Sequence, residues 1–135
     1  MRVVTDTNLL IASLFWDGVP NKIIQLALDG KIRIIVSTAI LEELRKTLRN
    51  PKEKFKLGEQ EIEDVIFGIL SFAHIVEPSV QVRLSRDPKD DIILACAQSS
   101  NADAIITRDN DLLVLKTYQG ILIKTPEEFL SLRKV

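Results

Sequence analysis

The chain has 135 residues, of which 46% are hydrophobic and 27% charged, a composition typical of globular proteins that excludes an intrinsically disordered chain. The 18 basic residues are balanced by 19 acidic ones, and the net charge of -1 excludes binding of nucleic acid through bulk positive charge. Any such contact would need a local basic patch. Because this length is close to the usual size of one domain, we expect residues 1–135 to form a single domain with one core.

Strand-like and helical segments alternate along the chain. Short apolar runs rich in β-branched residues predict strands at 3–5, 32–36, 74–76, 104–107 and 121–123. Apolar residues at helical spacing, with capping residues before them, predict helices at 9–14, 20–28, 38–50, 59–73, 88–100, 110–115 and 126–134. This alternation implies repeated β-α crossovers. The predicted fold is a three-layer α/β/α sandwich with a central parallel sheet of four to five strands.

The number of cysteines and the hydropathy of the chain indicate the cellular compartment in which the protein is expected. The single cysteine, Cys96, cannot form a disulfide bond within the chain, which favours a reducing interior. It lies in the apolar run 92–97, so we expect a buried small side chain and not a nucleophile. No stretch is long enough to span a bilayer, and Asp6 stands where a secretory signal would be apolar. We therefore expect a cytoplasmic protein without a membrane contact.

Two acidic residues follow predicted strands. Asp6 comes directly after the first strand, and Asp109 comes shortly after the strand 104–107. Because the carboxyl ends of parallel strands meet at one edge of a sheet, we expect these two carboxylates to lie close together. Each is alternatively the N-cap of the helix after it. Thr7, Asn8 and Thr107 are small polar neighbours that could orient a ligand, or serve only as turn and capping residues.

A third acidic residue lies at the start of a predicted helix. Asp87 and Asp90 occupy the positions of a helix cap and its capping partner, which leaves Asp91 at the border of the apolar run 92–97. We expect Asp91 to be partly buried, and a buried carboxylate requires a partner or a cation. The alternative is an acid on the exposed flank of the helix.

A fourth acidic residue lies on the predicted helix 38–50. Glu43 lies nearer than Glu42 to the apolar stripe of this helix, so Glu43 is the better candidate to face a site. A solvated or ion-paired glutamate is the alternative.

Carboxylates gathered at one place repel each other, so at neutral pH they share protons or are neutralised by a divalent cation. Ligand sets made only of oxygen suit Mg²⁺ or Mn²⁺, whereas zinc prefers histidine or cysteine. The single histidine, His74, is remote in sequence from the four acids. A cluster of this kind is suited to hydrolysis of phosphodiesters, because the metal activates water and neutralises charge on the leaving oxygen.

These motifs together resemble the PIN-domain ribonucleases and, more narrowly, the VapC-like toxins of type II toxin–antitoxin pairs. The resemblance covers almost the whole chain and rests on four segments: Asp6-Thr7-Asn8, Leu41-Glu42-Glu43-Leu44, Asp90-Asp91-Ile92-Ile93-Leu94-Ala95 and Thr107-Arg108-Asp109 with Asp111 after it. It implies an endoribonuclease with Mg²⁺ or Mn²⁺ held by Asp6, Glu43, Asp91 and Asp109. It also implies a homodimer and inhibition by a small antitoxin protein.

Neighbouring residues leave alternatives to this assignment open. A shift of one residue would exchange Glu43 for Glu42 and Asp91 for Asp90, and Asp111 matches more loosely as a ligand of a second metal ion. A catalytically inactive PIN-like module that binds protein or RNA is the main alternative function. A receiver or phosphatase domain would also begin with a strand-end aspartate, but the phosphatase type has a second aspartate where this chain has Asn8.

Two further features bear on RNA binding. A basic cluster near the end of the Glu43 helix could guide phosphates, or could be only a solvated face. It comprises Arg45, Lys46, Arg49, Lys52, Lys54 and Lys56. Phe15 and Trp16 lie in a predicted loop near the site, where they could stack on a base or pack in the core or against a partner.

Overall fold

The computed structural model describes residues 1–50 and 57–133, with only the backbone of residue 133. Its central sheet is built from short runs rich in β-branched residues. The strands are β1 (Arg2–Thr5), β2 (Arg33–Val36), β3 (Ala73–Ile75), β4 (Ala104–Ile106), β5 (Thr117–Tyr118) and β6 (Ile121–Lys124). Their order in the sheet is β3-β2-β1-β4-β6-β5, in which only β5 runs antiparallel to its neighbour.

Seven helices flank this sheet in the described part of the chain. They are α1 (Thr7–Phe15), α2 (Val19–Leu28), α3 (Thr38–Arg49), α4 (Glu59–Leu70), α5 (Pro88–Ser99), α6 (Asn110–Leu113) and α7 (Pro126–Arg133). Capping side chains explain where several helices begin: Asp6 caps α1, Ser37 caps α3 and Asp87 caps α5. Pro88 occupies the first turn of α5, where its missing N–H costs no hydrogen bond.

The core lies on both sides of the sheet. Val3 and Val4 point to opposite faces of β1, and neither exposes any surface. Burial of each such side chain contributes about 1.5–3 kcal/mol to folding. Cys96 is also fully buried, and burial raises the pKa of its thiol to about 12, so it is a core residue as expected.

The predicted α/β fold is confirmed, with two differences in detail. Five parallel strands match the expected sheet, but β5 was missed because it has only two residues. Gln119 and Gly120, which turn the chain from β5 into β6, both have positive φ angles, and glutamine is not a residue that signals such a turn. The helix predicted at 59–73 ends at Leu70, so β3 begins at Ala73. The predicted end of the last helix near Lys134 lies outside the described residues.

Between residues 1 and 50 and between 57 and 133, none of the helices combines the length and the apolar character needed to cross a membrane.

Candidate metal centre

The strand order brings the first two acids together. β1 and β4 are parallel neighbours with Thr5 opposite Ile106, so the residues that follow them emerge side by side. The Thr107 hydroxyl donates a hydrogen bond to Oδ2 of Asp6 and accepts one from the backbone N–H of Asp109 at 2.9 Å. Thr107 is fully buried and therefore joins the two strand ends that carry the acids.

Both acids are also helix caps. Oδ1 of Asp6 accepts the N–H of Leu9 at 2.8 Å, and Oδ1 of Asp109 accepts the N–H of Asp111 at 2.9 Å. The sequence leaves two roles open for each of these residues, a helix cap or a residue of the site. The structure shows capping, and it also places both residues in the wall of one pocket.

Asp90, and not Asp91, completes this group of acids. Asp90 is only 5% exposed, and it lies on the same face of α5 as the buried Ile93, Leu94 and Ala97. The Ser85 hydroxyl donates a hydrogen bond to its Oδ2 at 3.2 Å. Because α5 begins at Pro88, the third helical residue is the one aligned with the buried stripe. The expectation that Asp90 serves only as a capping partner of Asp87 is therefore corrected.

The expected place of Asp91 in the pocket is also corrected. Asp91 lies about 100° further around the helix than Asp90. Its Oδ1 accepts the backbone N–H groups of Leu84 at 3.1 Å and Ser85 at 2.7 Å. Asp91 thus holds the loop before α5, and its side chain lines a different cavity.

Glu43, and not Glu42, faces the acids from α3. The Glu43 side chain is 16% exposed, and its two oxygens lie 3.7 Å from Nζ of Lys46 and 3.9 Å from Nζ of Lys89. Glu42 instead pairs with Arg45 on the exposed side of the helix. Sequence reasoning did not single out Lys89, although its place between the cap Asp87 and the buried Asp90 puts it beside the acids.

One cavity of about 140 Å³ collects these side chains, which we call the acidic pocket. It is lined by Asp6, Thr7, Asn8, Glu43, Thr47, Asp87, Lys89, Asp90, Ile93 and Asp109. The four central acids come from the ends of β1 and β4 and from α3 and α5, elements that are distant in sequence and meet only in the folded chain.

A family model described as the PIN domain matches residues 2–111. The chain belongs to the PIN-domain family. A relative in Methanocaldococcus jannaschii, the uncharacterized protein MJ1680, is 32% identical over 97% of this chain and 90% of its own length. The predicted family resemblance is thereby confirmed.

Two solved structures share the fold of this PIN domain. VapBC2 from Rickettsia felis, determined with a DNA fragment from the promoter, has a TM-score of 0.64 at 17% identity and covers 93% of this chain and 98% of its own. VapBC-1 from nontypeable Haemophilus influenzae has a TM-score of 0.62 at 18% identity, covering 94% and 99%. The PIN domain described here therefore has a VapC-like fold.

Burial and mutual repulsion perturb the acids of this PIN domain. Burial is the main cause that raises the pKa of Asp90 to about 7, and the neighbouring Asp109 adds to it by accepting a hydrogen bond from the protonated form and repelling the charged one. Burial also raises the pKa of Asp6, an effect that the hydrogen bonds from Thr107 and Leu9 partly offset. The pocket therefore favours a bound proton or a bound cation.

The donor set of the PIN domain fits a hard divalent cation. Carboxylate oxygens of Asp90, Asp109 and Asp111 lie within 4.8 Å of one another. Asp111 is exposed and pairs with Arg86 at 3.2 Å, so it lies at the rim of this group. Every ligand atom in the group is a carboxylate oxygen, which suits Mg²⁺ or Mn²⁺.

Of the remaining residues singled out from the sequence, those that the structure describes lie outside the acidic pocket or at its edge. Arg45 is 2.9 Å from Glu63, and Arg49 is 3.0 Å from Glu59, so these two arginines join α3 to α4. Lys52, Lys54 and Lys56 lie outside the described residues. Trp16 is 55% exposed and packs edge-on against Phe15, which places this pair at the surface and not in the core.

Proposed function

We propose that this PIN domain is a ribonuclease that depends on Mg²⁺ or Mn²⁺. The observation that supports it is the convergence of Asp6, Asp90 and Asp109 on one pocket that Glu43 also lines. Stability alone does not favour such a cluster, because burial and repulsion disfavour its ionised form. A divalent cation compensates for that cost.

Each acid has a distinct place in the proposed site. Asp90 and Asp109 would hold the cation, with Asp111 at the rim as a further ligand. Asp6 is fixed by Thr107 and Leu9, so its carboxylate is oriented before any substrate arrives. Glu43 lines the same pocket and is the candidate to accept a proton from the attacking water. A metal ion held there would activate that water and neutralise charge on the phosphodiester oxygens.

Two lysines favour a substrate with phosphate groups. Lys46 and Lys89 reach Glu43 from two different helices, and both keep most of their surface exposed. Ammonium groups at the rim of an otherwise acidic pocket can attract a nucleic-acid backbone locally, although the chain as a whole is slightly acidic.

The test is cleavage of structured and unstructured RNAs with Mn²⁺, Mg²⁺ or a chelator. We expect the wild-type protein to cut with either ion and not with the chelator. Asp6→Asn should lower the rate at least about a hundredfold, because metal sites contribute several kcal/mol to catalysis. Equal cleavage by both proteins, or no cleavage of any RNA, would indicate an inactive PIN-like binding module.

We further propose that the protein is the cytoplasmic toxin of a toxin–antitoxin pair. The VapC-like fold and the family resemblance support this role. An antitoxin encoded beside it should form a stable complex with the purified protein and suppress its cleavage of RNA. If the protein cleaves RNA but no neighbouring gene product binds it, the ribonuclease stands and the toxin role does not.

A homodimer is the final part of the proposal. It is supported by the resemblance and by apolar side chains that stay exposed, with Ile75 on the edge strand β3 at 48% and Leu84 before α5 at 57%. Light scattering should give twice the mass of one chain, and a monomeric mass at micromolar concentration would contradict it.

A further inference from the structure

A second cavity lies on the other side of the same acids. It has a volume of about 390 Å³ and shares Asp6, Asn8 and Asp109 with the acidic pocket. Its remaining walls are Leu9, Ala12, Pro20 and Arg108. We call it the flanking cavity. Because the two cavities share three lining residues, they adjoin each other at the acids.

The walls of the flanking cavity come from three elements. Asn8 and Ala12 lie one turn apart on α1, so they share a helix face. Pro20 stands in the first turn of α2, and Arg108 follows the end of β4. The lining therefore combines three apolar residues, Leu9, Ala12 and Pro20, with a few polar groups, of which Asn8 and Arg108 are exposed. Sites for small organic groups commonly combine apolar walls with a few polar groups.

The polar groups at the rim are available to a ligand. Arg108 is 54% exposed and pairs with Glu127, which is 53% exposed. Exposed ion pairs contribute about 0–1 kcal/mol, so a phosphate can replace this carboxylate at little cost. The Asn8 side chain is exposed and offers both a donor and two acceptor sites to a base or a ribose.

We propose that the flanking cavity binds one unpaired nucleotide of RNA next to the bond that is cut. The base packs on Leu9, Ala12 and Pro20, and the guanidinium of Arg108 binds the phosphate beyond it. A base that is stacked and paired in a duplex cannot enter, so the cavity selects single-stranded RNA. This proposal rests on the proposed ribonuclease function.

The first test measures binding in the presence of a chelator, when no cleavage occurs. The probe is a short fluorescein-labelled RNA, used as a single strand and annealed to its complement. We expect the wild-type protein to prefer the single strand, and Arg108→Met to raise Kd for it about tenfold, as expected for loss of a charged hydrogen bond. Ala12→Trp fills the cavity and should weaken binding to a similar extent.

A matched variant separates contact with RNA from a structural role of Arg108. Glu127→Gln breaks the same ion pair but leaves the guanidinium in place, so it should bind RNA as well as the wild type or more tightly. If Arg108 acts only through its pairing with Glu127, the two variants will show equal losses. That result would overturn the proposal.

A second measurement distinguishes failure of the cavity from failure of the enzyme. With Mn²⁺ added, we expect Arg108→Met and Ala12→Trp to change the positions at which a mixed-sequence RNA is cut. If both variants cleave the RNA at the same positions as the wild type and bind it with the same Kd, the nucleotide site alone is overturned. Binding that depends on Arg108 without any cleavage would overturn the ribonuclease and leave the site. Neither binding nor cleavage would overturn both.

Discussion

Asp90 and Asp91 are adjacent acids with the same chemistry and different surroundings. Asp90 faces Asp109 in the acidic pocket, whereas Asp91 accepts two backbone N–H groups of the preceding loop. Asp90→Asn should therefore lower the rate of RNA cleavage at least about a hundredfold. Asp91→Asn should retain most of the rate but lose about 1–2 kcal/mol of stability, because two backbone donors lose a charged acceptor. Steady-state kinetics and urea unfolding of the pair check both effects, and the reverse ranking would contradict the assignment.

Lys89 provides a second contrast at the scale of one residue. Its ammonium lies 3.9 Å from Glu43 in a pocket whose other charged groups, among the described residues, are all acids. Lys89→Met should raise KM for RNA about threefold to tenfold and weaken its dependence on salt, with little change in kcat. Lys31→Met is the matched control, because Lys31 is exposed and lines a cavity with no acidic wall residue. An equal effect of both variants would show that the lysine acts only through net charge.

The sequence alone could assign some of these side chains and not others. Asp6 and Asp109 could be predicted because each follows a strand of a parallel sheet. Asp90 could have been found from its spacing of three, four and seven residues before Ile93, Leu94 and Ala97, a stripe that is buried. Its position in the first turn, where acids commonly cap, obscured that signal.

At the scale of elements, Thr107 decides how the ends of β1 and β4 are held. Its hydroxyl donates to Asp6 and accepts from the backbone N–H of Asp109. Thr107→Val keeps the shape but removes both bonds, so we expect a loss of about 1–3 kcal/mol and a cleavage rate about 10-fold to 100-fold lower. Thr107→Ser keeps the hydroxyl and should retain most of both. Unfolding and kinetic measurements on the two variants check this, and a fully active valine variant would exclude an orienting role.

Elements with strong local signals were predictable, and short elements held by their neighbours were not. Ser37 and Asp87 begin their helices as capping residues do. The two-residue β5 has no pattern of its own and exists because β6 offers it an open edge. Arg45 and Arg49 show the same limit, because whether a basic residue meets RNA or a neighbouring helix depends on what packs beside it.

At the scale of the whole molecule, the fold gathers carboxylates in the acidic pocket, where burial and mutual repulsion lower the stability of the folded state. The alternation of strands and helices was sufficient to predict a parallel sheet covered by helices. A parallel sheet places the carboxyl ends of several strands at one edge. The sequence could not show that β1 and β4, which are far apart along the chain, are direct neighbours. That adjacency brings Asp6 beside Asp109. The stability of the folded protein therefore depends on whether the carboxylates of the acidic pocket are ionised.

The last prediction concerns this dependence on pH and metal. The pKa of Asp90 is about 7 in the folded protein and near the ordinary value of about 4 in the unfolded chain. Between these values the folded state holds more protons, so with a chelator present the contribution of Asp90 to stability is greatest below about pH 4 and is lost as pH rises from about 4 through about 7. Asp6 contributes in the same direction, because burial also raises its pKa.

Calorimetry from about pH 5 to about pH 8 should therefore show a falling Tm in chelator, and Mn²⁺ should restore Tm most at the higher pH, where the acids are ionised and can bind it. Asp90→Asn removes the carboxylate that contributes most to the fall of Tm with pH, so this variant should lose most of that dependence. In chelator at pH 8 its free energy of unfolding should be about 1–3 kcal/mol higher, and its Tm should respond only weakly to Mn²⁺. Asp91→Asn serves as the matched control and should keep the slope. If Tm in chelator is flat or rises with pH, Asp90 is not held in a repulsive buried cluster, and the acids at this edge of the sheet do not need a cation to neutralise them.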